Sequence, residues 1–272
     1  MRETLIVLAC FIIGIALRSC RTLLLRKLGM LTFLATSFLI FFFIFDNVYI
    51  GLVGVLLWFF LPWLNLLTQI RQLRIPLKNR LSFSTPPSPE HFPNASRLIK
   101  EIELAEFDHI TDNGWYWTGM QQYFRFFWNP ETKSIASVCL CEQDQVAFAF
   151  VTVSSRTQDG RSIHTTNYPF SPTLKHAPKS SWAHLPCERN CFQSVSQDHH
   201  KHITRLNFTE NDLMTPDPDE IIVQIETEMQ AQIDHNIACG LIKMTDEEHF
   251  RYSVKGLFFL WFQSVKDMIR LC

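Results

Sequence analysis

An almost uninterrupted apolar stretch fills the first quarter of the chain, residues 4–70. Between residues 30 and 67 the only charged side chain is that of Asp46. As a single helix, this segment would be on the order of 57 Å long, whereas the hydrocarbon core of a bilayer is about 30 Å thick. The stretch therefore predicts two transmembrane helices, at 29–45 and 48–68, joined by a turn at Asp46-Asn47.

Residues 4–17 form a shorter apolar segment, whose length is marginal for crossing a bilayer. Three interpretations stay open: a short first transmembrane helix, a segment lying in the membrane interface, and a cleaved signal peptide, although no A-x-A site follows it. The predicted anchor therefore occupies residues 1–70 and contains two or three helices.

Basic residues flank the predicted hairpin on both sides, and none lies in the turn between its helices. They are Arg18, Arg21, Arg26 and Lys27 before it, and Arg71, Arg74, Lys78 and Arg80 after it. Flanks rich in Lys and Arg stay in the cytoplasm, so we expect an integral membrane protein whose C-terminal domain is cytoplasmic. The residues expected at the membrane interface here are Trp58, Trp63, Arg71 and Arg74.

Charge is distributed unevenly along the chain. Residues 1–80 contain nine Lys and Arg against two Asp and Glu, whereas residues 81–272 contain sixteen against twenty-four. An acidic domain repels phosphate backbones, so we expect no nucleic acid as a partner. Because the basic flanks suit anionic headgroups, the expected partner is the lipid bilayer, with another protein as a second candidate.

A basic flank and a proline-rich linker occupy residues 71–93, and an α+β domain is predicted for residues 94–272. The clearest strand candidate is Gln145–Thr157, which is apolar on both faces and therefore suits the interior of a sheet. Asp159-Gly160 then predicts a hairpin turn. The pattern predicts an antiparallel β-meander of four or five strands, followed by a proline-containing loop at 169–186.

Three helices are predicted after that loop, at 188–207, 218–239 and 254–271. The second begins with Asp217-Pro218, a cap followed by proline at the first helical position. The last has a wide apolar face that includes Trp261, together with a positive net charge. It either closes the core of the domain or rests on the membrane or against the anchor, with Trp261 at the interface.

The helix at 218–239, the Gly240–Ile242 segment, a hairpin and the Tyr252–Gly256 segment together resemble the winged-helix family over about 40 residues. The resemblance implies a DNA-recognition helix followed by a wing. We do not carry DNA binding over, because acidic residues without any Lys or Arg would make that helix repel DNA. A membrane-tethered winged-helix-like regulator stays an alternative. The acidic residues are Glu220, Glu226, Glu228 and Asp234.

The most metal-like group is Cys187, Cys191, His199, His200 and His202. Zinc binds thiolates and imidazoles, but C-x3-C followed by H-H-x-H matches no strong zinc spacing. We expect a solvated histidine run on a polar helix and predict no metal, with Cys187, Cys191, His199 and His202 as weak candidates. The cysteines are expected to be free thiols, because the domain is predicted to be cytoplasmic.

Recognisable catalytic motifs are absent from the sequence. There is no Walker A, G-x-G-x-x-G or H-E-x-x-H pattern, and no G-x-S-x-G elbow surrounds Ser154 or Ser155. Beside His164, strands rich in Ser and Thr are ordinary in a hairpin, and Asp159 is explained by the predicted turn. We therefore predict no catalytic residue and no cofactor, and expect a membrane-anchored, non-catalytic interaction or sensing module. The main alternative is a membrane-bound enzyme whose site the sequence does not reveal.

Overall fold

A computed structural model of the protein describes residues 2–20, 22–78, 80–117, 119–143, 146–186 and 191–271. The chain divides into two compact units. We call Met1–Leu73 together with Arg251–Cys272 the helical unit, and Arg74–Phe250 the sheet domain.

Seven α-helices and ten strands form in the described part of the chain. The helices are α1 (Arg2–Arg18), α2 (Leu23–Phe45), α3 (Val48–Thr68), α4 (Ala95–Leu104), α5 (Phe192–Arg205), α6 (Ile221–Ala238) and α7 (Val254–Leu271). The strands are β1 (Ile75–Pro76), β2 (Ser82–Phe83), β3 (Asp108–Trp117), β4 (Met120–Asn129), β5 (Ser134–Gln143), β6 (Val146–Arg156), β7 (Ser162–Thr166), β8 (Ser180–His184), β9 (Ile242–Met244) and β10 (His249–Tyr252).

The predicted pair of long apolar helices is confirmed as α2 and α3. Two helical segments, Leu24–Phe45 and Val48–Gln72, are long and apolar enough to cross a membrane by length and composition. Asp46 ends α2 in the left-handed conformation, with φ of 49°. The side chain of Asn47 then caps α3 by accepting a hydrogen bond from Tyr49 N at 2.8 Å, because Asn satisfies an otherwise unpaired N–H at a helix start.

Close contacts between α2 and α3 depend on two glycines. A Cβ on Gly51 would lie 2.7 Å from Phe38, and one on Gly54 would lie 2.5 Å from Phe41. Small residues of this kind let two packed helices approach closely. One turn further along α3, Trp58 Nε1 donates a hydrogen bond to Ser37 Oγ at 2.8 Å, so the hairpin also has a polar contact between its helices.

Strands β2 to β8 form a seven-stranded sheet in chain order. Neighbours from β2 to β7 are antiparallel, which agrees with the predicted meander, although the sheet has more strands than expected. The prediction of a plain loop at 169–186 is wrong, because β8 lies within it and pairs in parallel with β7. A parallel neighbour needs a long connection, which residues 167–179 supply. The prolines in this connection favour a loop and so hide the strand that follows it.

One face of this sheet is covered by α4 and α5. Large side chains alternate along the strands, so that Phe127, Val138 and Val151 point to this face. They form one buried cluster with Leu98 and Ile102 of α4. The cluster also contains Phe192 and Val195 of α5. This face is therefore the hydrophobic core of the sheet domain.

Helix α6 begins later than predicted. The side chain of Asp217 accepts a hydrogen bond from Asp219 N at 3.0 Å and so closes a turn before the helix. Glu220 is the N-cap residue, and Ile221 is the first helical residue and is fully buried. Short side chains such as Asp form these local turns readily, so Asp217-Pro218 stands just outside the helix. A second sheet lies next to α6 and has three strands, in the order β1, β10 and β9.

The last helix, α7, lies in the helical unit. It packs on α3, where Trp63 contacts two aromatic rings of α7. The ring centroids are 4.8 Å apart for Trp63 and Phe258, and 6.0 Å apart for Trp63 and Trp261. In the winged-helix family the corresponding helix would close the domain. Here α7 packs on α3 instead.

Candidate functional site

A cavity of about 620 Å³ lies between α6 and the face of the sheet opposite the hydrophobic core. Strands β4 to β8 line one side of it, and α6 lines the other. Residues 172–177, from the connection between β7 and β8, form part of its wall. Its volume falls within the range of about 300–1,000 Å³ that is typical of small-molecule sites.

The wall at 172–177 is fixed to α6 by one buried side chain. Asn236 is fully buried, and its Oδ1 accepts a hydrogen bond from Lys175 N at 2.9 Å. Its Nδ2 donates to Lys175 O at 2.7 Å. Because one amide satisfies both backbone groups of Lys175, the connecting segment is held in place against the helix.

Aromatic side chains form most of the sheet side of the cavity. Residues two apart in a strand share a face, and for this reason Phe124 and Phe126 of β4 stack side by side at 5.9 Å. Phe150 of β6 packs edge-on against Tyr168, with their ring centroids 4.9 Å apart. All four residues line the cavity. The apolar residues of α6 that line it are Ile221, Ile225, Met229 and Ala231.

Polar groups concentrate at one end of the cavity around Glu228 of α6. Its Oε1 accepts hydrogen bonds from Arg156 Nη2 at 2.7 Å and from Ser162 Oγ. Its Oε2 lies 3.5 Å from Nε2 of His164. The carboxylate and the guanidinium are paired, so their charges balance inside the site. Lys179, the third charged side chain among the described lining residues, is exposed to solvent.

Trp182 of β8 carries two stacked imidazoles. The ring of His164 stacks on it with centroids 4.1 Å apart, and the ring of His176 stacks on it at 4.9 Å. The first contact follows from the sheet register, in which His164 of β7 is the partner of Trp182. The parallel β7–β8 pairing therefore creates this part of the site.

Both imidazoles are neutral near pH 7. Burial lowers the pKa of His164 to about 4, and the positive charges of Arg156 and His202 act in the same direction, against Glu228. Burial, with the neighbouring His184 and His164, likewise lowers the pKa of His176 to about 4. Neutral imidazole offers one donor and one acceptor, so these rings can hydrogen-bond an uncharged group.

A row of hydroxyl groups crosses the sheet side of the cavity next to the aromatic residues. These are Ser137, Thr152, Ser154, Ser162 and Thr166. Thr152 and Thr166 already bond each other, with their oxygens 3.0 Å apart. The cavity thus combines a large apolar wall with a polar strip, which is the usual composition of a site for a small organic ligand.

The fold brings together only two of the four residues Ser154, Ser155, Asp159 and His164 that were considered from the sequence. Ser154 and His164 are direct cross-strand partners and both line the cavity. The side chain of Ser155 points to the other face, where its Oγ lies 3.1 Å from Nε2 of His199. Asp159 stays in the hairpin turn and pairs with Arg161 at 2.9 Å. These four residues therefore do not form one catalytic group.

The expectation of a solvated histidine run is wrong for two of its members. His199 and His202 are 2% and 7% exposed, on the side of α5 that packs against β7. They are buried because strand hydroxyls bind them: Thr165 Oγ1 lies 3.0 Å from His199 Nδ1, and Ser181 Oγ lies 3.1 Å from His202 Nε2. His200, between them, is exposed.

Of the two cysteines among the weak metal candidates, only Cys191 belongs to the part of the chain that the structure describes. Cys191 is a free thiol at the N-cap of α5, and Cys187 lies outside the described residues. Within the described ranges, no group of three or more His, Cys, Asp or Glu side chains is arranged to hold a metal ion. Buried Cys139 and Cys141 are also free, with sulfurs 3.6 Å apart.

Four of the five residues expected at a membrane interface lie in the helical unit, and Arg74 is the first residue of the sheet domain. Trp63 and Trp261 stack on each other in the helical unit. Trp58 also lies in that unit, bonded to Ser37. Arg71 and Arg74 are exposed, shortly after the end of α3. Their assignment to the interface stays a prediction.

Sequence reasoning missed two residues that line the polar end of the cavity, Glu228 and Trp182. Glu228 was interpreted as part of an acidic helix face, and Trp182 lay in the segment assigned to a loop. Alternation of Trp182 and His184 with the smaller Ser181 and Ala183 was the one available signal for β8. No protein-family model, curated protein or solved structure matches this chain.

Proposed function

We propose that this protein is a membrane-anchored, non-catalytic binding module whose sheet domain holds a small, uncharged amphipathic molecule. The observation that carries the proposal is the cavity of about 620 Å³ between the sheet and α6. Its lining combines an aromatic wall with a polar end. A molecule with a ring or acyl body and a hydroxyl or carbonyl head matches that lining.

The lack of charge on the ligand is inferred from the polar end. Arg156 and Glu228 are already paired with their charged groups 2.7 Å apart. Removing a charge from water without a partner is unfavourable, and neither group offers a free counter-charge to a ligand. His164 and His176 stay neutral at pH 7. A hydroxyl or carbonyl group can bond to these imidazoles and to Ser154 without needing a counter-charge.

Membrane anchoring is the second part of the proposal. It is supported by the length and composition of α2 and α3 and by the many large apolar side chains that these helices expose. Basic residues before α2 and after α3 favour a cytoplasmic sheet domain by the positive-inside rule. An amphipathic ligand partitions into bilayers, so a tethered domain would meet it at high local concentration.

An enzyme acting in the same cavity is the second candidate. The observation in its favour is a neutral imidazole, His164, within 3.5 Å of Glu228 and opposite Ser154. Such groups in a cleft are candidates for acid–base chemistry. The binding module is preferred because Glu228 is engaged by Arg156 and Ser162. His164, for its part, is stacked on Trp182.

The test is saturable binding of N-phenyl-1-naphthylamine, an uncharged aromatic probe, to the full-length protein in nanodiscs. Fluorescence is corrected with empty nanodiscs, and long-chain alcohols and long-chain carboxylates are used as competitors. We expect saturable binding that the alcohol displaces more effectively than the carboxylate. Conversion of either competitor into a new product would favour the enzyme instead.

Ser137→Trp tests whether the cavity is the site, because Ser137 lines it and a tryptophan there would fill it. Ser88→Trp is the matched control, since Ser88 is exposed and adds the same indole outside the cavity. We expect Ser137→Trp to abolish the saturable signal and Ser88→Trp to keep it. Equal binding by all three proteins would contradict the proposal.

A further inference from the structure

Helix α7 is joined to α3 by a hydrogen bond to the backbone. Trp261 Nε1 donates to Phe59 O at 2.7 Å. Pro62, in the next turn of α3, has no N–H and therefore leaves Trp58 O without its intrahelical donor. The indole of Trp261 thus reaches α3 where a proline has weakened the helical hydrogen bonds.

Helix α7 exposes a stripe of large apolar side chains that begins beside its contact with α3. Phe258, Phe262 and Ile269 are 55%, 60% and 59% exposed. At about 100° per residue they fall within roughly 40° of one another around the helix axis. By contrast, Leu257 and Leu260 are buried on a different side of the helix. The exposed stripe is therefore a second apolar surface of α7, distinct from the face that Leu257 and Leu260 bury within the protein.

Basic residues border this stripe on one side only. At the same angle per residue, Lys255, Lys266 and Arg270 lie roughly 60–120° from Phe258 around the helix axis, on the side of Phe262. Asp267 is the only acid in α7. With three basic residues against this one acid, the helix carries a net charge of +2. An apolar stripe next to a basic stripe is the pattern of a helix lying in the plane of an anionic membrane surface.

We propose that α7 lies in the headgroup region of the cytoplasmic leaflet, with its apolar stripe towards the acyl chains and its basic stripe against anionic lipid. This rests on the proposed anchoring, since α3 brings α7 to the bilayer. The occupant of the stripe is lipid because α7 is continuous with the apolar surface of α3 through Trp63, Phe258 and Trp261. Its positive charge complements anionic headgroups.

The test uses full-length protein in vesicles of phosphatidylcholine and phosphatidylglycerol, with p-benzoylphenylalanine replacing one residue at a time. The test site is Phe262 in α7. Leu56 in α3, which is 52% exposed, reports whether the anchor itself contacts lipid. Val223 in α6, which is 64% exposed, is the matched apolar site in the sheet domain. After illumination, mass spectrometry identifies lipid or protein adducts.

We expect lipid adducts at Leu56 and Phe262 and none at Val223. Lipid adducts at Leu56 alone would overturn the inference about α7 and leave the anchor standing. Protein adducts at Phe262, or equal lipid labelling at Val223, would overturn it as well. No lipid adduct at either Leu56 or Phe262 would overturn both proposals together.

The charged stripe is tested by the ratio of phosphatidylglycerol to phosphatidylcholine adducts at Phe262. Lys266→Glu reverses one charge beside the stripe, and we expect it to lower this ratio about five-fold. Lys243→Glu is the control, because Lys243 is exposed in β9 of the sheet domain. Equal ratios in wild type and both variants would refute the role of anionic lipid.

Discussion

The hydroxyl of Thr165 in β7 lies 3.0 Å from Nδ1 of His199 in α5. On its other nitrogen, His199 contacts Ser155 Oγ at 3.1 Å. Both ring nitrogens are thus used by strand hydroxyls in a site that is almost fully buried. Burial is the main reason why the pKa of His199 is lowered to about 3, with the charges of His164, His200 and His202 adding to it.

Acid should therefore destabilise the sheet domain. In the unfolded chain His199 is protonated below about pH 6.5. In the folded chain the same imidazole stays neutral down to about pH 3. The stabilisation is complete above the unfolded pKa and is lost as pH falls towards the folded one. We expect the free energy of unfolding to fall by about 1.4 kcal/mol per pH unit from this residue. The pH dependence of this free energy can be measured by urea unfolding, with hydrogen exchange of β6 and β7 as the readout.

The matched variants for this prediction are His199→Gln and His200→Gln. His199→Gln removes the titrating group, so its stability should depend less steeply on pH between 6.5 and 4. His200 is exposed, and His200→Gln should keep the wild-type slope. A slope that is unchanged in His199→Gln would show that other groups govern the acid response.

Trp261→Phe should loosen α7 from α3. The ring is largely kept, but the hydrogen bond to Phe59 O is lost, at a net cost of about 1 kcal/mol. Hydrogen exchange of α7 in nanodiscs should then be about five-fold faster. Trp58→Phe is the control, because it removes the bond to Ser37 between α2 and α3. The prediction fails if Trp261→Phe leaves exchange in α7 unchanged, or if Trp58→Phe accelerates it equally.

Gly54→Ala should destabilise the α2–α3 hairpin. The added Cβ would lie 2.5 Å from Phe41 Cδ2 and 3.0 Å from Ser37 O, so the helices must move apart, at a cost of about 1–3 kcal/mol. Gly14→Ala is the control, because its nearest contact is 3.4 Å from Phe33. Thermal unfolding in detergent should show a lower midpoint for Gly54→Ala only, and equal midpoints would argue against tight packing at Gly54.

The direction of insertion can be tested with single cysteine reporters in a variant without the native cysteines. We expect Asn47→Cys to react with an impermeant maleimide on intact cells, because the hairpin turn should face outwards. Ser88→Cys should react only after the membrane is opened, because the basic flanks should stay inside. The opposite labelling pattern would overturn the proposed orientation.

Much of the fold could be predicted because its signals are local. The turn between α2 and α3 falls at Asp46-Asn47, where a left-handed residue is followed by an Asn cap. The hairpin after β6 falls at Asp159-Gly160, where Gly160 has φ of 78°. Such choices depend on a few neighbouring residues, so a sequence pattern is sufficient to locate them.

The cavity could not be predicted, because its parts come from distant segments. Glu228 and Arg156 are separated by 72 residues and meet only when α6 lies across the sheet. Trp182 meets His164 only because β8 adds to the sheet in parallel with β7. Neither contact leaves a periodic signal in the chain, since each depends on which face of an element is covered by another.

By itself, the sequence determined the long apolar helices, most of the antiparallel strands and the hairpin turns, because hydropathy, alternation and turn chemistry act over short distances. Only the tertiary structure decided which polar side chains are buried and what they bind. His199 illustrates the difference: on a polar helix it has the pattern of a surface residue, but Thr165 and Ser155 of the sheet provide the hydrogen bonds that allow its burial.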